Sequence, residues 1–152
     1  AGFDYDSSIF PVRHDKYGMP GAPRVPHRAR RATGEIVEFP MTTLRVGPVD
    51  VPVAGGGYFR LYPYPLTRRI VAHHERTRED PFIFYFHPWE IDPEQPRIEG
   101  ASFRSRFRHY LNLDRCERRL RALLRDFAFT RLGDLAVRAG ADPDLPVHDY
   151  AA

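Results

Sequence analysis

The sequence has one cysteine, one lysine and no long apolar run, and each scarcity excludes a class of protein. Cys116 alone cannot form a disulfide within the chain or a thiolate zinc cluster. No run approaches the roughly 20 apolar residues of a transmembrane helix. The opening "AGFDYDSS" has neither the apolar region of a signal peptide nor an initiator methionine. We therefore expect no membrane span, favour a cytoplasmic location, and expect the chain to be cut from a longer protein or processed.

Arginine supplies almost all of the positive charge, because Lys16 is the only lysine. The formal net charge is +3, and acidic residues are interspersed among the arginines. Arginines that are solvated or paired with acidic residues explain this small positive net charge more simply than a nucleic-acid-binding surface does. We therefore expect no nucleic-acid partner. Hydrophobic residues make up 42% of the chain, which is enough for one domain, or part of a larger one, with its own core.

Prolines and glycines are frequent in the first hundred residues and predict short strands separated by turns. Strands are expected within residues 3–10, on both sides of Pro40 in residues 35–45, and after the glycines of "AGGGYFR"; an ordered loop is expected at 13–34 and turns at 47–53.

Three segments have the apolar period of helices. The first, from Tyr64 or Pro65 to about Glu79, precedes a buried strand at residues 82–86, and this alternation is typical of α/β proteins. The other two are a helix capped by Asp114 and Glu117, with an apolar stripe that reaches Phe127, and a helix from Thr130 to Ala139 ended by Gly140.

The stretch "FIFYFHPWEIDP" carries an apolar segment up to His87 and follows it with Trp89 and two acidic residues. In parallel α/β sheets and barrels, chemistry gathers at the C-terminal ends of strands. An imidazole at such a position can transfer a proton near neutral pH, and Asp6, at the end of the first predicted strand, could orient it. His87 could equally be a core histidine hydrogen-bonded to backbone, and the spacing leaves both interpretations open.

The seven histidines are poorly spaced for a metal site. His73 and His74 are adjacent on a predicted helix and therefore point about 100° apart. The sequence also lacks the paired-histidine motif of helical zinc sites. We expect no complete metal site within this chain.

Two further stretches could bind a ligand or serve packing alone. The glycines before Tyr58 allow a close backbone approach, which is either structural or places Tyr58 and Arg60 against a ligand as platform and clamp. The segment "FRSRFRHY", residues 103–110, interleaves aromatic and basic residues. Such a pattern occurs in single-stranded nucleic-acid binders, but it also covers packed faces from which arginines extend outward.

Five ordered blocks resemble polysaccharide deacetylases of the NodB-homology type, the carbohydrate esterase family 4 type. The blocks are "GFDYDSSIFPVRHDKYGMP", "EFPMTTLRVG", "PVAGGGYFRLYPY", "FYFHPWEIDPEQP" and "RFRHYLNLDR". The resemblance covers residues 1–130 and is closest to the branch associated with exopolysaccharide and exosortase loci, whose members have an extra region after the barrel.

The resemblance implies a distorted (β/α) barrel in which a divalent metal, often zinc, activates a water that attacks an acetyl carbonyl. In such enzymes an Asp and two His hold the metal, and a second Asp is the base. His87 in "FYFHP" would be the general acid, and Asp6 in "YDSS" would support the active-site floor. Tyr58, Arg60 and Trp89 are candidate contacts to the acetylated polysaccharide, with Trp89 favoured to pack beneath His87.

The family's "TFDD", "HxxxxH" and Arg-Pro blocks are missing from the sequence, and all three lie upstream in the family. We therefore expect the C-terminal part of the barrel at residues 1–95, an appended helical segment at 96–140 and a flexible tail at 141–152. Without the N-terminal half, such a chain would neither hold the metal nor hydrolyse acetyl groups from an exopolysaccharide. The alternative is a non-catalytic module that binds polyanions or glycans through its basic and aromatic surface.

Overall fold

The computed structural model describes residues 2–14 and 17–150, which form two compact units. The first contains the residues up to Pro52 together with those from Phe129 onward, and the second is Val53–Ala128. The boundaries expected after residues 95 and 140 coincide with neither unit's limits. Within the described ranges, no helix is both long and apolar enough to cross a membrane.

Strands and helices are mixed along the chain. In chain order they are β1 (Tyr5–Asp6), β2 (His27–Arg31), β3 (Gly34–Glu38), β4 (Thr43–Val46), β5 (Val49–Pro52), α1 (Gly56–Leu61), α2 (Tyr64–Thr77), a 3₁₀ turn (Pro88–Ile91), α3 (Phe103–Tyr110), α4 (Leu113–Asp126), α5 (Leu132–Ala141) and β6 (Val147–Asp149). The (β/α) barrel implied by the resemblance remains a prediction.

The first unit is built around a sheet with the strand order β1-β3-β2-β6. β2 and β3 form an antiparallel hairpin, whereas β1 runs parallel to β3 and β6 runs parallel to β2. The expectation of a loop over residues 13–34 is wrong for its last part. β2 is the basic run "HRARR", and its Arg28 and Arg30 lie within 3.5 Å of the Glu35 carboxylate on β3. The strand was not predicted because it has charged residues, paired with Glu35, where a half-buried strand usually alternates apolar and polar residues.

The segment 141–152, expected to be a flexible tail, contains β6, and its residues 151 and 152 lie outside the described residues. The Arg28 N–H donates to the Pro146 carbonyl (2.7 Å), and the Tyr150 N–H donates to the Arg30 carbonyl (2.9 Å). The Tyr150 hydroxyl lies 2.9 Å from Nε2 of the fully buried His27. Backbone pairing and this side-chain contact hold the segment to the sheet.

Two other elements of the first unit follow the expected order with shifted limits. The strands expected around Pro40 are present as β3 and β4, and β4 continues through a tight turn into β5. α5 begins after Arg131 and continues past Gly140 to Ala141. Thr130 lies outside the helix because its hydroxyl and the Arg131 side chain both bond to the Asp134 carboxylate in the first turn.

The second unit is mainly helical, and one of its helices replaces an expected strand. The residues after the glycines of "AGGGYFR" form α1 rather than a strand. Gly55 and Gly56 have φ of 122° and 54°, and a Cβ on Gly55 would lie only 2.0 Å from the Tyr85 carbonyl oxygen. The close backbone approach is therefore present, and it turns the chain into the helix.

The segment 82–86, expected to be a buried strand, has only Ile83 buried, and among the described residues it pairs at one point only, where Tyr85 bridges Gly55. The Tyr85 N–H donates to the Ala54 carbonyl (2.8 Å), and the Gly56 N–H donates to the Tyr85 carbonyl (3.0 Å). The turn of the glycines into α1 ends the pairing after this bridge, so no ladder forms.

The core of the second unit lies between α1, α2 and α4. Its buried residues are Phe59, Val71, Cys116, Leu120 and Leu123. The helix expected from Tyr64 or Pro65 to about Glu79 is present as α2, which ends at Thr77. The apolar stripe of α4 is confirmed, except that Leu124 is exposed.

The cap expected at Asp114 is wrong. Asn112 occupies the cap position of α4 in the left-handed conformation, because its side chain is drawn to the Arg60 carbonyl, to which Nδ2 donates at 2.8 Å.

Candidate functional site

His87 follows the segment 82–86, is exposed, and lies immediately before the 3₁₀ turn. Its backbone is extended, as the following Pro88 favours. The Tyr85–Gly55 bridge holds the segment two residues before it. The imidazole therefore extends from a backbone that is fixed on both sides.

A buried ion pair lies directly beneath this segment. Arg60 Nε donates to Glu90 Oε1 at 2.8 Å, and the two side chains are 2% and 1% exposed. The other carboxylate oxygen, Oε2, accepts the backbone N–H of His87 at 2.9 Å. One carboxylate thus joins α1 to the backbone of His87.

The remaining donors of Arg60 bond to the C-terminal end of α3. Nη1 donates to the carbonyls of His109 (2.8 Å) and Leu111 (3.0 Å), and Nη2 donates to that of Arg108 (3.2 Å). A cation is favourable at such a helix end. Arg60 is a candidate sugar contact from the sequence, with a structural role as the alternative; its buried side chain and its four hydrogen bonds within the chain favour the structural role.

Trp89 lies beside His87 and is the centre of an aromatic stack. Its ring is parallel to the imidazole of His87 (centroids 5.5 Å apart) and to that of His109 (4.4 Å). The guanidinium of Arg60 lies 5.2 Å from the indole centroid. Three groups thus pack against Trp89, and its role as a sugar contact remains a prediction.

His109 is the inner imidazole of the stack. Burial, reinforced by the nearby Arg60 and Arg97 charges, lowers its pKa, which favours the neutral ring. Its Nε2 lies 2.7 Å from Oε1 of Gln95 and donates to it, while the Gln95 amide donates to the Trp89 carbonyl at 2.8 Å. The stack is therefore tied to the backbone at its inner end.

Tyr58 is half-buried on α1, and its ring lies 6.2 Å from that of Tyr62 in a tilted arrangement. Its role as a sugar contact remains a prediction.

Asp6 lies in the first unit and His87 in the second, so the idea that Asp6 orients this imidazole also remains a prediction. The Asp6 carboxylate is exposed and accepts bonds from the Ser7 N–H (2.8 Å) and the Ser8 hydroxyl (2.7 Å). It lines an open cavity of about 360 Å³ together with Arg31, Glu38 and Tyr150, among other residues.

Glu38 is the buried titratable group of this cavity and was missed from the sequence. Its Oε1 accepts the Ile9 N–H at 2.9 Å. Burial above all, with the nearby Asp6 carboxylate adding, raises its pKa to about 7. The only signal in the sequence is a Glu at the inward end of a strand, between Val37 and Phe39.

The Arg60–Glu90 pair was also missed as a unit. Each charge stands among aromatic and aliphatic residues, in "YFRLY" and "PWEI", which is unusual unless the charge is paired. A basic residue in one apolar stretch and an acidic residue in another could therefore have indicated a buried ion pair.

The described residues do not fit a metal site. Within residues 2–14 and 17–150, no three His, Cys, Asp or Glu side chains are grouped so as to hold an ion. The buried His74 bonds through Nε2 to the Asp80 carbonyl (2.9 Å). Burial also raises the pKa of the Cys116 thiol to about 11, which disfavours the thiolate that a metal requires.

The comparison with known proteins identifies a family but no individual relative. No curated protein and no solved structure is significantly similar to the chain. The family described as a domain of unknown function, DUF3473, matches residues 7–137, and the chain belongs to that family.

Proposed function

We propose that the chain is the C-terminal part of a metal-dependent polysaccharide deacetylase, in which His87 donates a proton as acetyl groups are hydrolysed from an exopolysaccharide. The observation that carries the proposal is the exposed imidazole of His87 above the buried Arg60–Glu90 pair, within the block that resembles the family's late Leu-x-His block. DUF3473 domains occur in polysaccharide deacetylase-related proteins, which supports the same assignment.

The chemistry needs a positioned acid. When an acetyl amide or ester is hydrolysed, the leaving amine or hydroxyl must gain a proton as its bond to the acetyl carbon breaks. A side chain within hydrogen-bond reach can supply that proton and accelerates such steps by about 10²–10⁴-fold. An exposed imidazole on an anchored backbone suits this role near neutral pH.

We assign the metal and the base to the N-terminal half that the resemblance implies. The described residues do not fit a metal site. A divalent ion such as zinc, bound by the upstream half, would supply the activated water. This chain would supply the proton donor and its support.

We also propose that the chain contributes the last strands and helices of a distorted (β/α) barrel. The parallel pairing of β1 with β3 and of β2 with β6 supports this proposal. The antiparallel β2–β3 hairpin is a departure from an all-parallel barrel.

Acetate release from an acetylated hexosamine oligosaccharide tests the function. The assay compares this chain alone with a protein in which the natural upstream sequence precedes it, both with added zinc. We expect turnover only in the longer protein, with kcat lowered about 10²–10⁴-fold by His87→Ala. His73→Ala is the matched control, because His73 is an exposed histidine on α2.

Two outcomes would contradict the proposal. Full turnover of the longer protein with His87→Ala would exclude His87 as the proton donor. Turnover by this chain alone, abolished by His87→Ala, would show that the chain is not a fragment of the catalytic machinery.

A second candidate is a non-catalytic module that binds polyanions or glycans, and α3 favours it. No residue of α3 is buried, and Phe103 and Phe107 are 85% and 50% exposed. Arg104 and Arg106 lie on the same helix. A polyanion bound here should dissociate steeply with added salt, whereas a neutral glycan should not.

Matched variants test this surface. Arg104→Ala with Arg106→Ala should weaken polyanion binding and flatten its salt dependence. Arg121→Ala, which removes an arginine paired with Glu117 on α4, should change binding much less. Equal effects of the two changes would exclude α3 as the binding surface.

A further inference from the structure

We infer that Glu90 is the positioning residue of His87: its buried carboxylate, held by Arg60, fixes the backbone from which the imidazole extends. The catalytic consequence of this inference rests on the proposed proton-donor role of His87. The geometric part does not.

The backbone of His87 is bonded to Glu90 in both directions. The His87 N–H donates to Glu90 Oε2 (2.9 Å), and the Glu90 N–H donates to the His87 carbonyl (2.9 Å). Pro88 follows and disfavours the helical conformation for the residue before it. Both soft dihedral angles of His87 are therefore constrained.

Glu90 is itself held from the other side. Its Oε1 accepts from Arg60, whose guanidinium also bonds to three carbonyls at the end of α3. A continuous set of hydrogen bonds therefore runs from a helix end through Arg60 and Glu90 to the His87 N–H. Both oxygens of the carboxylate are used, one for each neighbour.

The same turn orients the ring. Trp89 lies between His87 and Glu90 in sequence, and its indole is parallel to the His87 imidazole within 10°. His109, tied to Gln95, packs against the same indole. Fixing Glu90 thus places both the backbone and the stacking partner of His87.

A buried ion pair is poorly explained by stability alone. Replacing such a pair with apolar residues of similar volume is often neutral or stabilising, whereas removing one partner costs about 3–5 kcal/mol. An apolar residue at position 90 could fill the space but could not accept the His87 N–H. Compared with an apolar residue, the Glu90 carboxylate therefore has the additional effect of orienting His87.

The test uses two variants that remove the anchor in different ways. Glu90→Gln keeps the shape but leaves Arg60 without its counter-charge. The double change Arg60→Met with Glu90→Leu removes both charges, so no unpaired charge is left buried and the protein is expected to fold. Glu94→Gln, an exposed carboxylate in the same segment, is the matched control.

Two readouts are measured. The first is the nuclear Overhauser effect between ring protons of His87 and Trp89 in this chain, which we expect both Glu90 variants to lose and Glu94→Gln to keep. The second is acetate release by the longer protein. There we expect kcat to fall by up to about a hundredfold, with KM changed less than twofold.

The outcomes separate this inference from the proposed function. Ring contacts that persist in both Glu90 variants would overturn the positioning role. Lost contacts with unchanged kcat would overturn its catalytic consequence. If His87→Ala itself leaves turnover unchanged, the proposed function fails, and the ring contacts alone decide the role of Glu90.

Discussion

Glu38 and Glu90 are both buried carboxyl groups, but their surroundings differ in charge. Glu90 bonds to the guanidinium of Arg60. Glu38 accepts a backbone N–H and has the Asp6 carboxylate nearby, and burial raises its pKa to about 7. Glu90 is therefore paired with a cation, whereas Glu38 has no cationic partner among these contacts and titrates near neutral pH.

The raised pKa of Glu38 makes stability depend on pH. In the unfolded chain the carboxyl ionises near 4.5, whereas in the folded protein it ionises near 7. Between these values the folded state binds more protons, so the free energy of unfolding falls as pH rises. Glu38→Gln removes this dependence. We therefore expect its free energy of unfolding, relative to that of the parent, to rise by on the order of 2 kcal/mol as the pH increases from 5 to 8.

Urea unfolding at several pH values measures this gain. Glu35→Gln, an exposed carboxylate on the same strand, should keep the parent's pH dependence. Burial lowers the pKa of His27, so that group opposes folding at acid pH, but it is present in every variant and cancels in the comparison. Parallel curves for Glu38→Gln and the parent would contradict the prediction.

Among the elements, the entry into α1 depends most on glycine. Gly55 combines a φ of 122° with a gap that no Cβ can occupy, because the Tyr85 carbonyl is in the way. Gly57 lies two residues on, in the helix, where the nearest atom to an added Cβ is 3.8 Å away. Substitutions at these two glycines therefore measure backbone strain (Gly55) and helix propensity (Gly57) separately.

We expect Gly55→Ala to destabilise the protein by about 2–3 kcal/mol or more, since it adds both strain and a backbone clash. Gly57→Ala should stabilise it by about 0.5–1 kcal/mol through helix propensity. The melting temperature and urea unfolding measure both changes. A tolerated Gly55→Ala would contradict the close approach to Tyr85.

The β6 strand gives a second prediction at this scale. A chain that ends after Asp144 loses the acceptor of the Arg28 N–H and the parallel neighbour of β2. We expect hydrogen exchange at the Arg28 amide to become much faster, because a freed edge amide is open to solvent. The amides of β4 paired with β5 are an internal control, and unchanged exchange at Arg28 would contradict the pairing.

The two longest helices, α2 and α4, could be predicted from the sequence because their apolar pattern is local. α2 and the stripe of α4 follow the 3.6-residue period, since both bury one face in the same core, at Val71, Leu120 and Leu123. The strand expected after Gly55–Gly57 was wrong because the turn into α1 depends on Tyr85, thirty residues away.

The candidate site was predictable in part for the same reason. His87 and Trp89 stand out as an imidazole and an indole at the end of an apolar run. Their support comes from Arg60 and Glu90, which no local period connects. The sequence therefore indicates which residue carries the chemistry but not what holds it.

At the scale of the whole molecule, the described residues contain no group of metal-holding side chains. A ligand that binds only the folded state raises its stability. We therefore expect no rise in the melting temperature of this chain when equimolar zinc replaces EDTA. A saturable rise of several degrees at one zinc per chain would contradict this expectation and would place a site within the chain.

The pairing of β2 with β6 has a consequence for the order in which the protein is made. β2 lies near residue 30 and its parallel neighbour near residue 148, so the sheet cannot be completed until β6 has left the ribosome. Val53–Ala128, which has its own core, is synthesised without interruption before that. We therefore expect the part that carries His87 to fold first during translation, while the sheet is completed only after β6 has been synthesised.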